Sequence, residues 1–376
     1  MSREEPRRSF RGRYAPPDVE TLAGLPASGP AALWRRWILA SRRRRETLHL
    51  FEPEEPTPPR RDPTHLPGSL WAVAAFYSPA GYATPLENYR RFRQGLREQS
   101  VPLLAVELGF GDRPFDLAPD DADLLVQIRG GDALWQKERL LNLGISRLPE
   151  DCDKVAWLDA DILFDRPDWA VETARLLQEY VVVQPYLERV RLGSGGSPAD
   201  VEALPVGLND GEVYYGMAYG VAAKGYQALD SHRRHGSTGL AWAARRDLLD
   251  KHGLYERELL GGGDTLTARG MFRAARIAKP EHFSPKALEH LRGWAEPFHA
   301  DVRGSVAYVA ATVFHLWHGS REGRRYGKRR RILVDHDYDP ERDVEVGPEQ
   351  AFCWASDKPD LHRAVREYFE GRAEDG

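Results

Sequence analysis

The chain has 376 residues, 41% hydrophobic and 29% charged, with 53 basic and 57 acidic side chains and a net charge of −4. That size fits one large decorated domain or two, and the near balance of charge excludes a chain that binds nucleic acid along its whole length. No apolar run approaches the ~18 residues of a membrane helix, MSREEPRRSFRGRY lacks the apolar stretch of a signal peptide, and two distant cysteines, Cys152 and Cys353, fit free thiols in a reducing, cytoplasmic setting rather than a disulfide or zinc framework.

Charge and proline divide the chain near residue 67. Residues 1–67 carry a net +4 and 11 of the 27 prolines, and the remainder carries −8. The first segment is too polar and proline-rich to build a core of its own. Within it, AALWRRWILASRRRR (31–45) has the spacing of a basic amphipathic helix. Such a helix can lie weakly on an anionic membrane surface; the preferred reading docks it on the folded domain with its basic end solvated.

From residue 68 strands and helices alternate. WAVAAFY (71–77) reads as a buried strand. PLENYRRFRQGLREQ (85–99) reads as a helix with Leu86, Tyr89, Phe92 and Leu96 on one face. VPLLAVEL (101–108) and DLLVQIR (123–129) are further strands, and ALWQKERLLNLGISRL (133–148) a helix. KVAWLDADILF (154–164) is one strand, followed by the helix WAVETARLLQEY (169–180) and the strand VVVQPY (181–186). This alternation predicts an α/β fold with a mainly parallel sheet and helices on both faces. Ligands of such sheets bind beyond the carboxyl ends of the strands. Residues 191–212 read as a loop, and GFGDRPF lacks the third glycine and following helix of a dinucleotide fingerprint. Residues 336–376 read as a C-terminal extension with a helix.

Four constellations could carry chemistry. Asp159 and Asp161, at i and i+2 of an extended chain, project to one side. Two carboxylates at the end of a buried strand suit Mn2+ or Mg2+; the plainer alternative is a pair of solvated turn residues. Gly261-Gly262-Gly263-Asp264 presents a carboxylate from a flexible turn, as a general base or as a helix N-cap. A buried strand feeds His315 and His318, followed by seven Lys/Arg between 321 and 331. An imidazole there can complete a metal site, His318 rather than His315 because it precedes Gly319, and the arginines can meet a diphosphate. Finally, Lys137 and Asn142 on an otherwise apolar helix can face a nucleotide.

In this order the four resemble the nucleotide-sugar glycosyltransferases of the GT-A fold, in particular the β-1,4-galactosyltransferase and chondroitin-polymerase type, with the large inverting family behind them. WQKERLLNLGISRLPEDCDKVAWLDADILF is similar to that group's uridine-contacting helix and D-x-D strand. STGLAWAARRDLLDKHGLYERELLGGGD is similar to its acceptor-side segment, and HGSREGRRY to the segment supplying a metal-binding histidine. The resemblance implies a GT-A domain over 68–335 and metal-dependent, inverting transfer from a nucleoside-diphosphate sugar, with UDP as the expected nucleotide, to a saccharide or other hydroxyl acceptor.

It implies Asp161, His318 and Asp159 around Mn2+ or Mg2+, and Asp264 as base. Phe76, Tyr77, Ser78, Trp135, Lys137 and Asn142, with Asp159 and Ala160, would line the nucleotide-sugar site. Trp242, Gly262 and Gly263 would stand on the acceptor side. The chain departs from the family where the acidic residue that usually precedes the base is Gly263, and where FYSPAG lacks the usual arginines. Two other readings use the same residues: a metal-dependent hydrolase of nucleotide or phosphate substrates built on Asp159, Asp161, His315 and His318, and a non-catalytic carbohydrate-binding descendant. Segment 191–212 or segment 318–331 is expected to close over the donor.

Overall fold

A computed structural model describes residues 63–198, 213–230, 236–274, 277–319, 329–371 and 375. The 31–45 helix, most of both expected closing segments and part of the basic run lie outside these residues. Among the described residues no helix is long and apolar enough to cross a membrane.

The first half follows the predicted alternation. Strand β1 (Ser69–Tyr77), helix α1 (Thr84–Glu98), strands β2 (Leu103–Gly109) and β3 (Leu124–Arg129), helix α2 (Lys137–Ile145) and strand β4 (Cys152–Leu158) run in that order. Apolar periodicity accounts for them. Val73 and Ala74 of β1 are fully buried, and α1 turns Tyr89, Phe92 and Leu96 into the core. Helix α2 starts four residues later than its apolar pattern suggests. The Gln136 carboxamide donates to the Phe352 carbonyl and accepts from its N–H, both at 2.9 Å, which holds the preceding turn out of the helix.

The predicted 154–164 strand is two strands. β4 stops at Leu158, residues 160–161 form a turn, and β5 (Ile162–Phe164) joins a different sheet. The Asp159 N–H donates to the Leu240 carbonyl at 2.7 Å, and the Leu316 N–H donates to the Asp161 carbonyl at 2.8 Å. The two aspartates therefore belong to the junction between sheets.

Helix α3 (Trp169–Leu177), strands β6 (Val182–Gln184), β7 (Glu188–Arg191) and β8 (Val213–Tyr215), helix α4 (Met217–Lys224), strand β9 (Ala241–Arg245) and helices α5 (Arg246–His252), α6 (Gly263–Phe272) and α7 (Pro285–Val302) follow. The chain continues through β10 (Val306–Tyr308), β11 (Thr312–His315), α8 (Arg330–Asp335), the pair β12 (Val344–Val346) and β13 (Phe352–Trp354), and α9 (Pro359–Glu370).

The main sheet has seven strands in the order β10-β6-β9-β4-β1-β2-β3, with β9 antiparallel to its neighbours and the other pairs parallel. The α/β class expected from the sequence is what the structure shows. β1 leads outward to β2 and β3, and the chain then returns to place β4 on the other side of β1. The strand order thus reverses at the β1–β4 boundary, where such sheets leave a crevice. A second sheet, β5-β11-β7-β8, stands beside that crevice. The C-terminal segment packs into the same body: Phe352 and Val365 share a core cluster with Leu134, Leu259 and Leu266.

Candidate active site

A cleft of about 610 Å³ opens over the carboxyl ends of β1 and β4. Phe76, Tyr77 and Ser78 line it from β1, Asp159, Ala160 and Asp161 from the end of β4, Trp135 and Lys137 from the start of α2, and Gly262 and Asp264 from the start of α6. The main sheet brings these together because parallel strands deliver their carboxyl ends to one edge.

Asp161 meets both histidines. Its Oδ2 lies 2.6 Å from His318 Nδ1 and 3.3 Å from His315 Nε2. The register of β11 against β5 sets His315 opposite Ile162, one residue from Asp161. His318 arrives after β11, where Asn88 Nδ2 of α1 donates to the Trp317 carbonyl at 2.7 Å. His318 is the nearer imidazole, as expected. His315 is no isolated core histidine, since it completes the group. Burial raises the pKa of Asp161, but the charges and hydrogen bonds of the two imidazoles outweigh it and hold the carboxyl well below its ordinary value.

The three donor atoms lie within 4.8 Å of one another. Asp161 Oδ1 is buried and has no hydrogen-bond partner among the described residues. A buried carboxylate oxygen without a donor is costly unless a cation takes it, so the set fits a divalent ion. One carboxylate with two imidazoles favours Mn2+ over Mg2+, which prefers oxygen ligands.

Asp159, in the same cleft, pairs with Lys137 Nζ, which also donates to Asp264 Oδ1 and Oδ2 at 2.9 and 3.1 Å. The D-x-D spacing reads as one site, but the turn after β4 sends the two carboxylates to different partners. Burial works against the Lys137 ammonium, yet Asp159 and Asp264 outweigh it and raise its pKa well above the ordinary value. For Asp159, burial together with Asp264 and Asp161 raises the carboxyl, and Lys137 pulls the other way. One ammonium thus holds two carboxylates in a half-closed cleft. Replacing it with an apolar chain of similar length, Lys137→Met, is expected to cost about 3–5 kcal/mol of stability by leaving both charges unpaired. Urea unfolding of the two proteins at pH 7 measures this.

Asp264 sits in the first turn of α6, but Gly262 is the N-cap and no side-chain cap bond is made there. The N-cap alternative for Asp264 therefore fails. Gly262 has φ 112°, a left-handed conformation that disfavours other residues. A Cβ on Gly263 would lie 2.3 Å from Glu138 Oε1. The space a side chain at 263 would need is thus filled by a carboxyl from α2.

Glu138 was not singled out by its sequence. It is buried, its Oε2 accepts from Trp135 Nε1 at 2.8 Å, and its Oε1 has no hydrogen-bond partner among the described residues. Burial first, and Asp264 second, push its carboxyl from the ordinary 4.5 up to about 8. A carboxyl raised in the fold binds protons the unfolded chain has released, so stability falls as pH rises from about 4.5 to about 8. Glu138→Gln is expected to remove that slope, up to ~1.4 kcal/mol per pH unit. Thermal melts across pH 5–8 check it.

Three expected residues stand elsewhere. Asn142 holds the Leu254 backbone and Glu256 through bonds of 2.7–3.0 Å and lines a separate depression with Arg139 and Trp294. One helical turn beyond Lys137, it faces α5 rather than the cleft. Trp242 is buried in β9, where its Nε1 donates to the Thr238 carbonyl at 2.8 Å. It supports the 237–240 turn from behind. Gly263 is buried beneath the cleft floor.

The sequence reading also missed the wall facing the aspartates. Arg189 and Arg191 of β7, Tyr214 of β8 and the turn Ser237–Leu240 all line the cleft. Tyr186 donates its hydroxyl to the Gly239 carbonyl at 2.8 Å, and a Cβ on Gly239 would lie 3.4 Å from Asp264 Oδ2. The alternation Glu188-Arg189-Val190-Arg191, a period-two pattern, was the available signal for a half-buried strand with one basic face.

No family model matches the sequence, and no curated protein matches it. Several solved structures are similar. Mannosyltransferase PcManGT from Pyrobaculum calidifontis, in complex with GDP-Man and Mn2+, is 16% identical over 90% of this chain and 79% of its own, with a TM-score of 0.38. TarS 1–349 from S. aureus is 12% identical over 80% of this chain and 71% of its own, with a TM-score of 0.34. The catalytic domain of Drosophila beta1,4galactosyltransferase 7, in complex with xylobiose, is 11% identical over 78% of this chain and 98% of its own, with a TM-score of 0.34.

Proposed function

We propose that the protein is a metal-dependent glycosyltransferase of the GT-A type. It moves a sugar from a nucleoside-diphosphate sugar, UDP being the expected nucleotide, to an acceptor hydroxyl. The observation that carries this is the joint presence, in one cleft at the β1–β4 switch point, of a cation-type group (Asp161, His315, His318) and a separate carboxylate (Asp264). Group transfer between two bound substrates needs both.

Asp161 and the two imidazoles would hold the divalent ion, which when bound neutralises charge on the leaving diphosphate. Trp135 stands edge-on to Tyr77, ring centroids 6.2 Å apart, and offers an aromatic wall for a base. Asp264, hydrogen-bonded by Lys137, takes the proton of the acceptor hydroxyl as the hydroxyl oxygen bonds to the anomeric carbon and the bond to the diphosphate breaks. A single displacement of this kind inverts the anomeric centre. Lys137 keeps a partner throughout, because Asp159 remains when Asp264 becomes neutral.

The hydrolase reading needs Asp159 in the metal set, and its pairing with Lys137 does not support that. The discriminating experiment incubates the protein with a panel of nucleotide sugars, with and without Mn2+ and with and without a mixture of saccharide acceptors. Mn2+-dependent nucleotide release that rises with acceptor is the expected result. Release that ignores acceptor would instead mark a hydrolase.

A further inference from the structure

Glu138, in the first turn of α2, has no part in the chemistry described above. It is 3% exposed and is not among the residues that line the cleft. Its Oε2 accepts from Nε1 of Trp135, which does line the cleft, so the carboxyl stands behind that wall. The pair packs on the glycine run that precedes Asp264. A Cβ on Gly261 would lie 3.1 Å from Cδ2 and Cε3 of the Trp135 indole, and one on Gly263 would lie 2.3 Å from Glu138 Oε1. The lack of a side chain at both positions lets the indole and the carboxyl come close to the backbone.

Trp135 is held at its main chain, at its ring face and at its ring nitrogen. Its backbone N–H donates to the Leu259 carbonyl at 3.0 Å. Its ring lies against Gly261 and stands edge-on to Tyr77. Its indole N–H goes to Glu138. The backbone bond fixes where the side chain starts, and glycine offers no side chain to interlock with the ring. The bond to Glu138 is directional and sets the rotation of the ring about its Cβ–Cγ bond. An indole nitrogen is a donor only, and leaving it buried without an acceptor is costly. Without Glu138 the ring is favoured to turn its N–H toward water in the cleft. With Glu138 the N–H is satisfied inside the wall, and the ring faces the cleft as an aromatic surface.

We propose that Glu138 is a positioning residue: by accepting the indole N–H it pre-orients Trp135 as the stacking wall for the base of the bound nucleotide. It touches no substrate and acts through Trp135. The proposal deepens the transferase reading and rests on it. A carboxyl keeps an accepting oxygen whether ionised or neutral, and a carboxamide has one too. Glu138→Gln should therefore preserve the arrangement, and Glu138→Leu should remove it.

A double-mutant cycle on the full-length protein tests this, read as UDP affinity by calorimetry in Mn2+. Glu138→Leu should weaken UDP binding by ~3–10-fold, as expected when binding must order a side chain the fold no longer holds. Glu138→Gln should bind UDP as the wild type does. In a Trp135→Ala background Glu138→Leu should have no further effect, because a residue that acts only through the ring has nothing left to act on. A second measurement needs no change at Glu138: the Trp135 indole N–H, assigned by its absence from the spectrum of Trp135→Phe, should be protected from hydrogen exchange in the wild type. Wild-type UDP affinity in Glu138→Leu would overturn the assignment. So would an equal loss in both backgrounds, which would mark a general disturbance of the fold, or an unprotected indole N–H. Failure of wild-type protein to bind UDP at all would instead overturn the transferase reading beneath it.

Discussion

Asp161→Ala is expected to abolish Mn2+-dependent binding of UDP. The reason lies in the arrangement of the group. Both imidazoles converge on Asp161 Oδ2, and Asp161 Oδ1 is buried without a hydrogen-bond donor among the described residues. Asp161 is therefore the one anionic member of the three donors. Removing it takes away the charge that offsets ion dehydration. Changes to residues that merely orient ligands cost ~10–100-fold in metal affinity, and loss of the only anionic ligand should exceed that range. Asp159→Ala should behave differently, because Asp159 serves Lys137 rather than the three-donor group. A calorimetric titration of UDP with and without Mn2+ separates the two: affinity that ignores Mn2+ in Asp161→Ala, and affinity that still depends on Mn2+ in Asp159→Ala. Equal effects from both substitutions would restore the expectation that the aspartates act as one metal pair.

Asp264→Asn should lower turnover by ~10²–10⁴-fold while leaving UDP affinity nearly unchanged, since a base acts mainly in the transition state. Asparagine keeps the shape and can accept one hydrogen bond from Lys137, but it cannot take a proton from the acceptor. The fold should tolerate the change, because Lys137 retains Asp159 and Asp264 makes no cap bond in α6. Steady-state transfer kinetics beside UDP calorimetry read both quantities. Retained turnover would leave the reaction without a base and move Asp264 to a purely structural role.

Long-range order in the sequence was easier to read than the cleft. β1, β2, α1 and α2 announce themselves because they are largely buried, the strands as short apolar runs and the helices with apolar residues at a period of 3.6. The break between β4 and β5 left no such trace. Val155 to Leu158 and Ile162 to Phe164 are apolar on both sides of Asp159-Ala160-Asp161, so an extended reading continues across the turn. Only pairing with β11 and the 240 region, far away in sequence, ends β4 where it ends. The same limit explains Asn142 and Trp242. Each lies beside cleft residues in the chain, but helical rotation turns Asn142 to α5, and strand alternation puts Trp242 beneath the 237–240 turn.

Glu138 shows a different kind of blindness. On a helix beside Lys137 and Arg139 it looks like a solvated charge, and only the approach of Gly263 from α6 reveals a buried carboxyl. Asp264, Asp161 and His318 were legible because acidic and imidazole groups at the ends of apolar strands or after glycines are costly to place without a purpose. Lys137 was expected at a nucleotide; its pairing with two carboxylates depends on α6 meeting α2, which no local pattern encodes.

Asp161, His315 and His318 are proposed to hold one divalent ion in the cleft that also contains Asp264. Crystals grown with Mn2+ and UDP, measured at the manganese absorption edge, test this directly. A single anomalous peak is expected within coordination distance of Asp161 and both imidazoles, with UDP density reaching it along the Trp135 wall and Asp159 still on Lys137. A map with no peak at Asp161, or with manganese bound between Asp159 and Asp264 in place of the Lys137 ammonium, would contradict it.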